Sequence, residues 1–257
     1  MNLEHGSNSV KMAVMPTKAT KATKATKATK ATKATKAKRP ERRTDALSKE
    51  RIVEAAIELL DSQGESALTF RALAAQLSTG SGAIYWHVDH KDELLAAATD
   101  HVIARVLTEV GARAKPRDAI RAVALGVFDA IDAHPWVGAQ LSRQPWRSAM
   151  GQLFESVGGR VQSLGVPRRA QFAAASALVA YILGVAGQNA ANARLLPHGT
   201  DRTTFLATMA ARWTQQDPAK YPFVQQVSKQ LQDHDDREQF LAGLDLILSG
   251  IASVTTK

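Results

Sequence analysis

The 257-residue chain is long enough for one large domain or two small ones, and 45% of its residues are hydrophobic, which is sufficient for a sizeable core. It contains no cysteine, which excludes a disulfide-bonded scaffold, a thiolate metal site and a cysteine nucleophile. All of the formal net charge of +9 lies in residues 1–47, so the rest of the chain carries equal numbers of acidic and basic residues. The N-terminus lacks the apolar block of a secretory signal, so we expect a cytoplasmic protein.

Seven Thr-Lys-Ala repeats occupy residues 17–37 of this basic segment. A period of three does not match the 3.6 residues of a helical turn, so the lysines spiral around every face and no apolar stripe forms. Because the segment buries nothing that would offset its conformational entropy, residues 1–47 are predicted to be a disordered tail. Two interpretations stay open: a solvated expansion without function, or an arm that binds nucleic acid without sequence preference.

Three short helices are predicted at the start of the folded region. Ser48 can cap the first, whose apolar residues recur at helical spacing, and Gly64 can end it. Thr69 can cap the second. The third follows a Ser-Thr-Gly turn and is predicted to cover residues 81–88.

Helical periodicity continues to the end of the chain, and no stretch alternates in the way that is typical of strands. A fourth helix is expected to begin near residues 89–91. Prolines and turn-forming clusters separate the later helices, which are predicted at 116–133, 136–143, 146–164, 167–195, 203–215, 222–232 and 236–254. The chain is therefore predicted to be all-α.

Two short helices, a tight turn and a third helix form a helix-turn-helix pattern, whose last helix enters the DNA major groove. Tyr85, Trp86 and His87 are consecutive in that helix, and consecutive helical residues point in different directions, so all three cannot be buried. Ile84 and Val88 are one turn apart and are predicted to hold the helix to the core. The three rings each carry a donor for phosphate, and the indole can also contact a thymine methyl group.

Residues 51–95 resemble the DNA-binding domain of the tetracycline-repressor (TetR) family of transcriptional regulators. The stretches ALTFRALAAQL, GAIYWHV and HKDELL carry the resemblance at fixed spacing. It implies a helix-turn-helix domain over residues 48–95, with three groups of contacts. These are Thr69 and Arg71 at phosphate and groove edge; Ser81, Gly82, Ala83 and Trp86 at bases; and Tyr85, His87 and Lys91 at the DNA backbone. Arg43, in the basic segment, is a further candidate outside this domain.

The turn departs from the family pattern, which is usually Gly-Val-Ser. Here it is Ser78-Thr79-Gly80, so the turn glycine is lost and a threonine takes the place of the apolar plug. The recognition helix is then expected to begin with a glycine cap. Glycine caps nearly as well as threonine, so the fold is expected to persist, whereas the start of the helix can shift.

Residues 96–257 are predicted to form a helical domain that binds an effector and dimerises. The helix at 167–195 is almost free of charge, and its unbroken apolar run is shorter than the ~20 residues that a bilayer needs. One face is therefore expected in the core and the other in a subunit interface. The last helix, 236–254, has an apolar face from Phe240 to Ile251 and resembles the last helix of tetracycline repressors. The two helices are expected to form a four-helix homodimer interface, as in the family.

Candidates for an effector pocket are residues too large or too polar for an ordinary core, although each can also be a core residue with its hydrogen bonds satisfied. Drug-sized pockets are mostly apolar and contain a few placed polar groups. The candidates are His101, His134, Trp136, Gln140, Phe154 and Asn189, together with Trp146, Tyr181 and Gln188.

These features predict a repressor that binds a palindromic DNA operator and is released by a small-molecule effector. The alternative is an architectural DNA-binding protein without a ligand, which the lysine-rich segment suggests. We do not expect an enzyme, because the sequence has no Gly-rich phosphate loop, nucleophile elbow or two-histidine metal helix. His87 and His90 lack a third ligand nearby, so neither a metal nor another cofactor is expected.

Overall fold

A computed structural model describes residues 47–110, 114–143, 147–195, 201–231 and 234–255. The Thr-Lys-Ala repeats, Arg43 and Trp146 lie outside these ranges. Within them the chain forms α-helices, one 3₁₀ turn and no strand, which confirms the all-α prediction. The helices are α1 (Lys49–Gln63), α2 (Phe70–Gln76), α3 (Ser81–Tyr85), α4 (Lys91–Glu109), α5 (Pro116–Ala133), α6 (Pro135–Arg143), α7 (Ser148–Ser163), α8 (Arg168–Leu195), α9 (Arg202–Thr214), α10 (Pro222–Val227) and α11 (Asp236–Thr255), and the 3₁₀ turn is Ser228–Leu231.

The third helix is shorter than predicted. It ends at Tyr85, so Trp86 and His87 follow the helix instead of lying on it. Two contacts end it early: Val88 turns into the core, and the Asp89 N–H donates to Glu93 of α4 at 2.9 Å. The predicted helix at 222–232 also divides, since α10 passes into the 3₁₀ turn.

Helix α8 is the centre of the C-terminal region. By length and composition its segment Arg168–Arg194 could cross a membrane, but here one of its faces packs on α5, α6, α7 and α11. Leu178 and Ile182 on that face are fully buried. Phe240 of α11 stacks on Phe128 of α5, with ring centroids 4.7 Å apart. The prediction that one face of this helix lies in the core is confirmed.

The opposite face of α8 is exposed and consists largely of small residues around Phe172, which is 74% exposed. On α11 the predicted apolar face, including Leu244 and Leu248, is buried against α5 and α8 of the same chain. The outer side of α11 carries Leu246, which is 76% exposed. The surface available to another subunit is therefore the small-residue face of α8 and the Leu246 side of α11.

Candidate DNA-binding site

Side-chain caps start the first two helices where the sequence predicted them. The Ser48 hydroxyl accepts the Arg51 N–H at 3.3 Å, and the Thr69 hydroxyl accepts the Ala72 N–H at 3.1 Å. Gly64 follows α1 with φ of 78°, and its N–H donates to the Leu60 carbonyl oxygen at 3.0 Å. These caps set the bounds of α1 and α2 and thereby the position at which α3 begins.

Four apolar side chains hold α3 against the preceding helices. Leu68, Leu73, Ile84 and Val88 are all at most 1% exposed. Ile84 and Val88 are the two residues predicted to anchor this helix. Because they occupy its inner side, the residues between them are directed outward or sideways.

The turn before α3 is built on a serine in the left-handed region. Ser78 has φ of 51°, a conformation that costs a non-glycine residue about 1–2 kcal/mol. The Thr79 N–H closes the turn by donating to the Ala74 carbonyl oxygen at 2.9 Å. Gly80 is the cap of α3, as predicted, but its φ of −87° is open to any residue. Gly80 therefore does not use the conformational freedom of glycine, whereas the position with positive φ is occupied by Ser78.

The structure distinguishes the three consecutive rings. Tyr85 packs edge-to-face with Phe70, with ring centroids 4.5 Å apart, and 56% of the tyrosine stays exposed. His87 is half-buried. Trp86 is 88% exposed, directly after the end of α3. It is therefore the most exposed of the three rings.

The other residues predicted to contact DNA on α2 and α3 are exposed or half-buried. Thr69, Arg71 and Gly82 are exposed, and Ser81 and Ala83 are half-buried. A Cβ added to Gly82 would meet nothing within 4 Å, so the outer side of α3 is free of other parts of the described chain. The Thr69 oxygen accepts its cap hydrogen bond but keeps its own O–H proton for donation.

The side chains of Lys91 and His90 each form a hydrogen bond within the protein. The Lys91 ammonium donates to the Glu65 carbonyl oxygen at 2.5 Å, which leaves two of its three protons for another acceptor. Nδ1 of His90 accepts the Glu93 N–H at 3.1 Å and so caps α4. Among the described residues no group of three possible metal ligands occurs.

Helix α6 and the residue before it contact the end of α1 and the loop after it through polar groups that the sequence interpretation did not pair. Nδ1 of His134 and Nε1 of Trp136 each lie 2.8 Å from the Asp61 carboxylate at the end of α1. The Glu65 carboxylate accepts from Gln140 at 3.3 Å and from Arg143 at 3.1 Å. We call these six residues the α1–α6 contact. Three of the predicted effector residues, His134, Trp136 and Gln140, thus have their polar atoms at this contact.

The remaining effector candidates are also dispersed. His101 is half-buried on α4, and the Phe154 ring lies 5.8 Å from Phe172, near the exposed face of α8. Asn189 lines a cavity between α8 and α9 and donates to Asp132 at 3.1 Å. Within the described residues, the predicted set does not converge on one cavity. Tyr181 donates to the Phe240 carbonyl oxygen at 2.9 Å, and burial raises the pKa of its hydroxyl.

Asp100 on α4 was not predicted to have a role. Burial raises the pKa of its carboxyl, while hydrogen bonds with the Ala149 N–H and the Ser148 hydroxyl at the start of α7 act in the opposite direction. One carboxylate oxygen, Oδ1, is buried without a hydrogen-bond partner in the described chain. A single aspartate within an apolar helix gives no signal in the sequence, since the helix start that faces it is nearly fifty residues away.

Comparison with known proteins identifies the family. Residues 52–98 match the family described as "Bacterial regulatory proteins, tetR family", and residues 114–255 match "Tetracyclin repressor-like, C-terminal domain". The chain belongs to the TetR family. Both the helix-turn-helix and the helical C-terminal region of the TetR fold are therefore present, as predicted.

Individual TetR-family members are similar over different lengths. The transcriptional regulator SCO7222, a TetR from Streptomyces coelicolor, has 53% identity and a TM-score of 0.76, over 81% of this chain and 99% of its own. An HTH-type transcriptional regulator from Saccharopolyspora erythraea is 33% identical over 57% of this chain but only 64% of its own length. The HTH-type transcriptional repressor DrrR1 from Streptomyces coeruleorubidus is 29% identical over 83% of this chain and 80% of its own. ActR from S. coelicolor, solved in complex with actinorhodin, shares the fold at 22% identity and a TM-score of 0.67, over 82% of this chain and 99% of its own.

Proposed function

We propose that this protein is a ligand-responsive transcriptional repressor. Two copies bind a palindromic operator through α3, and a small-molecule effector in the C-terminal region releases them. Residues 48–95 form the DNA-binding domain and 96–257 the effector-binding and dimerisation domain. The observation that carries the proposal is the 88% exposure of Trp86 beside the open side of Gly82, on a helix-turn-helix whose inner side is fully packed.

On this proposal Trp86 reaches base edges, together with the start of α3. The Thr69 hydroxyl and the Arg71 guanidinium contact phosphate and the groove edge at the start of α2. Tyr85, His87 and Lys91 contact phosphate and fix the register. Arg43 and the preceding basic segment add contacts to phosphate outside the helix-turn-helix. Because such a protein acts where its DNA lies, we expect it in the cytoplasm.

Dimerisation is supported by the exposed outer faces of α8 and α11. Small side chains on α8 allow a second helix to approach closely, and Phe172 and Leu246 would leave water on association. A two-fold dimer presents two copies of α3 to half-sites about one helical turn apart, roughly 34–36 Å. A palindromic operator follows from this symmetry.

The α1–α6 contact supplies a physical link between the two domains. A ligand that favours one position of α6 would move Asp61 and Glu65, and with them the recognition helices. A coupling of about 1–3 kcal/mol changes operator affinity by fivefold to 150-fold, which is sufficient for a switch. Two TetR-family members support the proposal. DrrR1 is described as a repressor, which supports repression, and ActR was solved with a small molecule, which supports an effector.

The test is selection of bound DNA from genomic fragments with the full-length protein. We expect a preferred sequence with two-fold symmetry, which the variant Gly82→Leu no longer binds. A Cβ at Gly82 meets no neighbour, so this variant should fold normally. Gly151→Leu on α7 is the matched control, because its Cβ is equally unobstructed and should leave DNA binding unchanged. If random DNA binds as tightly as every selected fragment, the protein is an architectural DNA binder and the proposal is wrong.

A further inference from the structure

A cavity of about 260 Å³ lies between the end of α8, helix α9, the 3₁₀ turn and the start of α11. Its volume lies just below the usual range for small-molecule sites, roughly 300–1,000 Å³, and it opens to solvent. None of the six residues of the α1–α6 contact lines it. Of the predicted effector residues, Asn189 lines it.

One wall of the cavity is apolar and contains two aromatic rings. Phe205, Met209 and Trp213 are spaced four residues apart on α9, so they form one continuous stripe that faces the cavity. Leu206 and Leu231 complete this wall. Flat rings and a flexible thioether favour a flat, polarisable ligand that packs along the stripe.

The opposite side of the cavity carries one charged cluster. The Arg202 guanidinium lies 2.5 Å from one oxygen of Asp236, and Nε2 of His234 lies 2.9 Å from the other. The charges of Arg202 and Asp236 therefore offset each other. The guanidinium has five N–H donors in a planar fork, and the contacts with Asp236 and with the His234 carbonyl oxygen use only the Nη2 group. Its remaining donors suit an oxygen acceptor, and an anionic one most strongly.

We propose that this cavity binds a flat aromatic molecule that carries an anionic oxygen, such as a carboxylate or an enolate. The ring lies along Phe205, Met209 and Trp213, and the anionic oxygen lies at Arg202. The inference deepens the proposed function, on which it rests, because it gives the chemical class of the effector.

Two polar contacts, joined by a short backbone segment at the end of α5, connect this cavity with α1. Asn189 donates to Asp132 near the end of α5. Two residues further on, His134 ends α5 and contacts Asp61 of α1. A ligand that displaces Asn189 therefore acts on the helix end that holds the α1–α6 contact. On this proposal, occupancy of the cavity changes the position of α1 by this route.

The test uses a fluorescent probe of the required chemistry, anilinonaphthalenesulfonate, with the full-length protein. Its uncharged parent, phenylnaphthylamine, is the control probe. We expect Arg202→Gln to weaken binding of the sulfonate by roughly fivefold to tenfold, since a charge-assisted hydrogen bond at a partly exposed site is lost. Binding of the uncharged probe should change less than twofold. Arg212→Gln, an exposed arginine of α9 that does not line the cavity, is the matched control and should leave both probes unaffected.

A second variant, Trp213→Leu, tests the apolar wall and should weaken both probes. Thermal unfolding of each variant shows whether its fold is kept. Equal sulfonate affinity for the wild type, Arg202→Gln and Arg212→Gln would overturn the inference. Release of the protein from the selected operator is measured separately. If a compound that releases the wild type from the operator releases Arg202→Gln at the same concentration, the cavity assignment is refuted and the repressor proposal stands. If sulfonate binding depends on Arg202 but the protein has no preferred DNA sequence, the cavity assignment stands and the repressor proposal is refuted.

Discussion

Removal of the Trp86 ring tests the DNA-binding surface most directly. In the free protein the ring is 88% exposed, so Trp86→Ala removes almost no burial and should change the free energy of unfolding by less than about 0.5 kcal/mol. In the complex, covering about half of a ring of roughly 200 Å² would remove about 100 Å² from water. At about 25 cal/mol per Å² this contributes about 2.5 kcal/mol.

Part of that gain is offset by ordering the side chain, so we expect Trp86→Ala to weaken operator binding by about 1–3 kcal/mol, or roughly fivefold to 150-fold. Binding to random DNA should weaken less, because the indole is expected to contact bases rather than phosphate. The assay is fluorescence anisotropy with the selected operator and with a scrambled duplex at the same salt concentration. Phe223→Ala on α10 is the matched control, since that ring is also mostly exposed but lies outside the helix-turn-helix.

Three outcomes would refute this reasoning in different ways. An equal loss on operator and scrambled DNA would place Trp86 at the DNA backbone. No loss on either would show that the ring does not touch DNA. A lower melting temperature would show that Trp86 stabilises the fold, despite its exposure.

Three other predictions concern the turn, an ion pair and the tail. Ser78→Gly should raise the free energy of unfolding by about 0.5–1 kcal/mol, because glycine adopts the positive φ of 51° without strain; a lower midpoint in urea would contradict this. A hydrogen bond from Arg121, assisted by Arg117, lowers the pKa of Asp245, so this contact stabilises the folded state above the ordinary carboxyl pKa of 3.8 and is lost as pH falls through the lowered pKa. Asp245→Asn should therefore cost about 0.5–1 kcal/mol near neutral pH, and a cost that stays constant in urea titrations down to about pH 3 would argue against the pair. Deletion of residues 1–38 should flatten the slope of log K against log salt by about one unit or more without changing the preferred DNA sequence, and identical slopes would mean that the tail does not contact DNA.

Local sequence rules accounted for much of the DNA-binding domain. The caps at Ser48 and Thr69 and the stop at Gly64 were predictable, because a capping side chain acts on backbone groups only a few residues away. The burial of Ile84 and Val88 followed from helical spacing. The end of α3 could not be predicted in this way, because it depends on the burial of Val88 and on the hydrogen bond between Asp89 and Glu93.

The sequence by itself determined that the chain is helical, that its first helices form a helix-turn-helix, and that Tyr85, Trp86 and His87 cannot all be buried. Only the tertiary structure decided which of these rings is most exposed, because Phe70, which packs on Tyr85, is fifteen residues away in the chain. The same holds for His134, Trp136 and Gln140, whose contacts with Asp61 and Glu65 the sequence does not indicate. Periodicity describes which side of a helix is apolar, but the partner of a polar group is set by how helices pack, and residues more than seventy positions apart meet only when that packing is complete.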